Sequence, residues 1–404
     1  MSTMINDPRL ITDESQMGWF ARLRSRLGRA DLGSLPILIG LLAIWIIFQA
    51  ANPLFLSPVN LTNLLLQMAG MGTIATGLVM ILLLGEIDLS AGILSGLCAA
   101  VMAVLNVKLG IPGPIAVLIA LLVGAAIGTF HGFWITKLRL PSFIVTLAGN
   151  IGWQGVLLYV LGNTGTINLR DKFITGFAFT FFPKNVGWAV AAVFILIYIS
   201  GLILARRRRL AAGLTASSIG VVLAKAIVVS AGILGTMALL NANRGLPLSL
   251  VIFIGVVILF SLITQRTLFG RHIYAVGGNA EAARRASIPV DQVRILVFAI
   301  SSTLSALGGV MLASRLLAVN QSSGGSDLLL NSIAAAVIGG TSLFGGRGII
   351  WAALLGALVI QSISNGMDLL ALASPIKFMI TGGVLLIAVT IDALARRRRE
   401  STGR

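Results

Sequence analysis

Two carboxylates, Glu86 and Asp88, lie inside "LLLGEIDLSAGIL", Leu82 to Leu94, a run that is otherwise apolar or small. A charge at the centre of a bilayer costs about 2.5–3.5 kcal/mol, so such a pair needs compensation or a watery site. Three readings stay open. In the first, Asp88 or Ser90 caps a helix beginning near Leu89 while Glu86 pairs with a basic group. In the second, the acids relay protons; in the third, they line a polar route for a hydroxylated solute. The alternation Glu86, Ile87, Asp88, Leu89 puts both acids on one side of an extended segment, and Gly85 and Gly92 suit a helix break. Lys225 and Lys377 also lie in apolar runs and are candidate partners, unless they snorkel to the interface.

Other reactive chemistry is sparse. The chain has one cysteine, Cys98, and two histidines, His131 and His272, which rules out a disulfide framework and argues against a Cys/His metal site. There is no P-loop, H-E-x-x-H, G-x-S-x-G or CxxC pattern. We therefore expect no catalytic residue, no metal and no cofactor, and if ATP drives the protein another subunit must bind it.

The elements that position the acids are membrane spans. Of 404 residues, 57% are hydrophobic and 11% charged, more apolar surface than a soluble domain of this length can hide. A span needs about 20 mostly apolar residues. Runs near 35–50, 62–84, 90–108, 113–136, 142–162, 186–205, 219–240, 247–264 and 293–315 qualify. Beyond the loop Gln321 to Asp327 follow two shorter runs near 329–343 and 348–366, then one at 374–395. The expected fold is an all-α polytopic membrane protein with ten to twelve transmembrane segments.

Two short, glycine-rich hairpins interrupt this series, around "GEIDLSAG" and "GGTSLFGGRG" (Gly339 to Gly348). Backbone leaves the helix at membrane depth only where protein or a wet cavity surrounds it, so these breaks mark the functional core. Each is followed by an apolar run and then a proline segment, "LPSFIVTLAG" or "ASPIKFMITGG", a faint internal repeat. Gly124, Gly128 and Gly132 at spacing four, and Gly92 with Gly96, invite close approach of neighbouring backbones.

The net charge of +17 is clustered, not spread. Arg22 to Arg29, Lys137 and Arg139, Arg206 to Arg209, the loop arginines from Arg266 to Arg294, and Arg396 to Arg399 recur at every second loop, a positive-inside pattern with both termini cytoplasmic. Without interleaved aromatics these clusters do not suit nucleic acid. The expected organisation is a basic segment 1–34, with Trp19, Phe20, Leu23 and Leu27 on an interfacial helix or a disordered tail, a membrane domain 35–395, and a basic tail 396–404. No cleavable signal is evident, so the first apolar run stays as an anchor.

Within that domain the loop 265–292 holds a Gly277–Asn279 turn, the helix former "AEAARRAS", a stop at Ile288 and Pro289, and Asp291 placed to cap the next span. A short helix bearing Glu281, Arg284 and Arg285 is either an ordinary loop helix or a docking element.

"GEIDLSAG", "LPSFIVTLAG", "GRHIYAVGGNAEAARRASI", "AAVIGGTSLFGGRG" and "SNGMDLL" together resemble the permease subunits of bacterial ABC importers for monosaccharides of the ribose/xylose/galactose type. "PSFIVTLAG" and "YAVGGNAEAAR" are most like the xylose branch. The resemblance runs over nearly the whole chain beyond the N-terminal tail. It implies an inner-membrane protein carrying a monosaccharide, a pentose such as xylose, with a second permease copy, a separate ABC ATPase and an exported sugar-binding protein as partners. Gly278, Asn279, Glu281, Ala282, Arg284 and Arg285 then form the coupling helix that fits the ATPase. Glu86, Asp88 and Ser90 match the family's acidic motif. For a neutral polyol, amides and aromatic faces suit better than charge, which singles out Asn150, Trp153 and Gln154; alternatively these three join helices together. The loops "RLLAVNQSSGGSD" and "GNTGTINLRDK" would meet the binding protein. The rival reading is a proton-coupled secondary sugar transporter using Glu86 and Asp88.

Overall fold

The computed structural model describes residues 35–214, 216 and 218–401; the basic segment 1–34 with its expected interfacial helix lies outside them. Every apolar run is a helix. In chain order these are α1 (Leu35–Ala51), α2 (Pro58–Leu83), α3 (Ala91–Ala103, extended by a π-helical turn Val104–Lys108), α4 (Gly113–Lys137) and α5 (Ser142–Leu161). After the strand β1 (Thr166–Asn168), the short α6 (Lys172–Phe179) and β2 (Phe181–Phe182) come α7 (Lys184–Ala211), α8 (Ile219–Ala242), β3 (Leu246–Pro247) and α9 (Leu248–Arg266). The loop helices α10 (Leu268–Gly278) and α11 (Ala280–Arg285) precede α12 (Val290–Leu316), β4 (Ala318–Asn320), α13 (Ser326–Ile338), α14 (Trp351–Leu369) and α15 (Ser374–Ser401). Among the described residues nine helices are long and apolar enough to cross a membrane, while α1 and α13 are shorter apolar helices. The fold is an all-α polytopic membrane protein.

Contacts sort the helix ends into two sets. At one end Thr166–Asn168 pairs antiparallel with Ala318–Asn320, joining the two loops "GNTGTINLRDK" and "RLLAVNQSSGGSD", and β2 pairs with β3. At the other end Lys137 meets Asp291, and Gly277 meets the end of α2. Following the helices between these ends puts Arg206 to Arg209 and Arg266 with Lys137, on the end that carries α10 and α11. The α7–α8 hairpin packs mainly on itself, each helix only 6% buried.

The centre is α12, wrapped by α2, α3 and α4. The Gly124, Gly128, Gly132 stripe is where α4 meets it: a Cβ on Gly128 would stand 2.3 Å from the Phe298 carbonyl oxygen. Lipid supplies no hydrophobic drive between helices, so close backbone packing takes its place. Gly128→Val is expected to destabilise by at least about 1–3 kcal/mol, the usual cost of overpacking. Gly235→Val, where nothing lies within 4 Å, carries the same helix-propensity penalty and serves as the reference. Thermal unfolding of the detergent-solubilised protein checks this; equal melting of the two variants would exclude a packing role for the stripe. Gly96 receives a turn, with Ser323 and Gly324 against it, while Gly92 meets Leu329 of α13 together with Gly324.

The two repeat copies differ in content. Between the first break and Pro141 lie α3 and α4; between the second and Pro375 lies α14 alone.

Candidate functional site

The geometry of the first break follows from its neighbours. Helix α12 runs antiparallel to α2, with Gly70 against Leu312, Gly77 against Ser301 and Glu86 reaching Arg294. Yet Ser95 already lies against Gly309. From the level of Arg294 to that of Gly309 is about 22 Å of helix rise. The nine residues from Glu86 to Ser95 would climb only about 14 Å as a helix, so part of them must be extended, at about 3.3 Å per residue. The chain leaves α2 through Gly85 at φ 75°, and α3 does not begin until Ala91.

An extended segment at this depth exposes amides and carbonyls, and helix α5 satisfies them. The Ile87 N–H donates to Ser142 Oγ (3.2 Å), the Leu89 N–H donates to Thr146 Oγ1 (3.1 Å), and Asn150 Nδ2 donates to the Leu89 carbonyl (2.6 Å). Two residues of extended chain advance about 6.6 Å and four residues of helix about 6 Å, so polar side chains at i, i+4 and i+8 keep step with the segment.

The acids separate into two roles. Glu86 Oε1 accepts from Arg294 Nη2 at 2.9 Å, both side chains largely buried. Neither lysine expected as a candidate is its partner: Lys377 pairs with Asp368, and Lys225 is exposed. Asp88 is 1% exposed. Its Oδ1 accepts from the Ser90 N–H (2.8 Å) and Ser90 Oγ (2.6 Å), a tight turn that orients the start of α3. The expected cap is therefore corrected, since Ser90 occupies the N-cap position without a side-chain cap bond and the helix starts at Ala91. Asp88 Oδ2 has no protein partner among the described residues.

Of the residues marked for a polyol, Asn150 holds the extended segment and Trp153 Nε1 donates to His131 Nε2 at 2.9 Å, tying α5 to α4. Gln154 is exposed. Trp153, Phe130 and Trp134 line an open groove of about 400 Å³ between these helices.

The second break, between α13 and α14, turns through Gly340, Gly345, Gly346 and Gly348, all with positive φ. It meets the first: the Gly346 N–H donates to the Leu83 carbonyl at 2.9 Å. Beside it lie the loop helices. Tyr274 OH donates to the Gly348 carbonyl (2.9 Å), and burial pushes this phenol above its ordinary pKa, against an opposing Thr264 hydrogen bond, so it stays a donor at neutral pH. Asn279 caps α11 by accepting from the Ala282 N–H at 2.9 Å. Gly278, Asn279, Glu281, Ala282, Arg284 and Arg285 are all exposed, and Ala283 alone is buried beneath them. Asp291 does not cap α12, whose N-cap is Pro289; it pairs instead with Arg284 (3.3 Å) and Lys137 (3.9 Å), binding the exposed helix to the bundle.

Residues 60–389 match the family model described as the branched-chain amino acid transport system / permease component. The chain belongs to this permease family. The permease is 34% identical to the xylose transport system permease protein XylH of Escherichia coli (strain K12) over 382 residues, 94% of this chain and 96% of the relative. It is 33% identical to XylH of Haemophilus influenzae, over 90% of this chain and 98% of that one. To the ribose import permease protein RbsC of Bacillus subtilis it is 32% identical, over 88% of this chain and 91% of the relative. No solved structure matches it.

Four residues at this site do not stand out from the sequence pattern alone. With the span starting at 293, Arg294 reads as one of the loop arginines, whereas α12 begins at Val290 and carries Arg294 more than a turn inward. For Ser142 and Thr146 the signal is present in "SFIVTLAGN", which places a hydroxyl, a hydroxyl and an amide at spacing four. His131 gave no signal beyond being one of two histidines.

Proposed function

We propose that this permease is the membrane subunit of an ATP-binding cassette importer that carries a monosaccharide, a pentose such as xylose, into a bacterial cell by alternating access. The observation that carries the reading is the exposed α11 surface, held by Asp291 to the bundle and lying beside both broken hairpins. A separate ATPase subunit docks on Gly278 to Arg285, two permease copies enclose the path, and an exported sugar-binding protein meets the opposite end, where β1 and β4 join the two loops. The sugar relatives cover about nine-tenths of the chain, which favours a sugar over the amino acid in the family's description. The basic helix ends face the cytoplasm by the positive-inside rule, which makes 265–292 the cytoplasmic coupling loop and puts both termini, with the tails 1–34 and 396–404, on that side. Trp153 offers the sugar an aromatic face in the groove, Gln154 carries an exposed amide on the same helix, and Asn150 positions the extended segment beside them.

Liposomes holding this chain and its ATPase, with binding protein outside and ATP inside, test the reading. Uptake is expected to need ATP and to ignore an uncoupler. Glu281→Arg with Arg284→Glu, which also sets a glutamate beside Asp291, is expected to abolish uptake while leaving the protein inserted. Uptake that collapses with the proton gradient and survives ATP depletion would replace this reading with the proton-coupled one.

A further inference from the structure

Two glycine turns and the end of a helix, all distant in sequence, converge on one point beside the docking helices. Gly277, next to last in α10, touches the end of α2 so closely that a Cβ there would stand 1.8 Å from the Leu83 carbonyl oxygen and 2.7 Å from the Gly346 nitrogen. A Cβ on Gly345 would stand 2.6 Å from the Gly277 oxygen and 2.8 Å from Gly85 Cα. Gly85, Gly345 and Gly346 all have positive φ, which side chains resist. The Gly346 amide bonds to Leu83, and the Tyr274 hydroxyl bonds to Gly348.

We infer that Gly277, with Gly345 and Gly346, forms a backbone joint that makes the docking helices and both broken hairpins move as one body, with Tyr274 as the positioning residue that fastens it. Contacts between backbones have no rotamers to absorb a displacement. A shift of α10 must therefore move the Gly85 and Gly346 turns together, and through them the extended Glu86–Ser90 segment and α13. Side chains at these positions would open a gap that the motion could be lost into. The inference rests on the importer reading and adds how docking reaches the membrane core.

The test measures sugar uptake and ATP hydrolysis in the same liposomes, using the full complex. For Gly277→Ala, the ATPase subunit is expected to copurify and hydrolysis to stay near the unaltered rate, while sugar moved per ATP falls on the order of tenfold. Tyr274→Phe, which removes the hydroxyl that bonds to Gly348 and Thr264 without changing the ring, is expected to lower the same ratio about fivefold. Gly255→Ala, in α9 with nothing within 4 Å, is expected to leave it unchanged. An unchanged ratio in Tyr274→Phe, or loss of copurification with uptake and hydrolysis falling in step, overturns the joint and leaves a contact of structural value only. If Gly277→Ala does not insert, the ratio in Tyr274→Phe decides. Absence of ATP-dependent uptake by the unaltered complex would instead remove the importer reading, and the inference with it.

Discussion

Arg294→Met is expected to destabilise the permease by about 3 kcal/mol or more, because it strands the Glu86 carboxylate where little water reaches it. Against a total folding stability of about 5–15 kcal/mol, such a loss should also remove most inserted protein and with it uptake. Glu86→Gln is expected to be nearly as damaging, since it leaves the guanidinium unpaired. The double variant Glu86→Gln/Arg294→Met should recover much of the loss, as replacing both partners of a buried pair is often near neutral. Denaturant or thermal unfolding of all four proteins in detergent gives the coupling energy directly. A coupling near zero would mean the pair is solvated and does not hold the break. The same set separates the two transport readings: a proton carrier would lose uptake in Glu86→Gln with folding intact, and the double variant would not restore it.

The second large effect concerns the polar side chains that α5 offers to the extended segment. Thr146→Val removes the acceptor of the Leu89 N–H, and Asn150→Leu removes the donor to its carbonyl, each at nearly constant volume. Leaving one buried backbone group unsatisfied costs about 1–3 kcal/mol, and within a membrane no bulk water relieves it. The double variant is expected to lose about 2–6 kcal/mol, with hydrogen exchange across residues 86–90 rising before the rest of the bundle opens. Thr146→Ser keeps the hydroxyl and should behave almost as the unaltered protein. Exchange and uptake unaffected by Thr146→Val would show that the segment does not depend on this hydroxyl.

The helices and their order were legible because a span must present about 20 apolar residues whatever its neighbours are. The two breaks were legible because glycine runs interrupt that requirement at matching places, Gly85 and Gly339 to Gly348. Family membership was legible in motifs that lie at those breaks and in the docking loop. Local chemistry failed where it depended on a boundary. Placing the start of α12 three residues late hid Arg294 from Glu86, and taking α3 to begin near Leu89 turned the Asp88 turn into a helix cap.

Sequence by itself determined what must hold for each segment alone: which stretches cross the membrane, where they cannot stay helical, and which loop helix keeps its charged face exposed. Only the tertiary structure decided the pairings. Glu86 lies some two hundred residues from Arg294, Leu83 lies further still from Gly346, and Asn150 reaches the chain at Leu89. The reason is physical. Apolar matching between spans is nearly indifferent to partner, so the choice among basic groups and turns is made by which backbones glycine lets come within hydrogen-bonding distance.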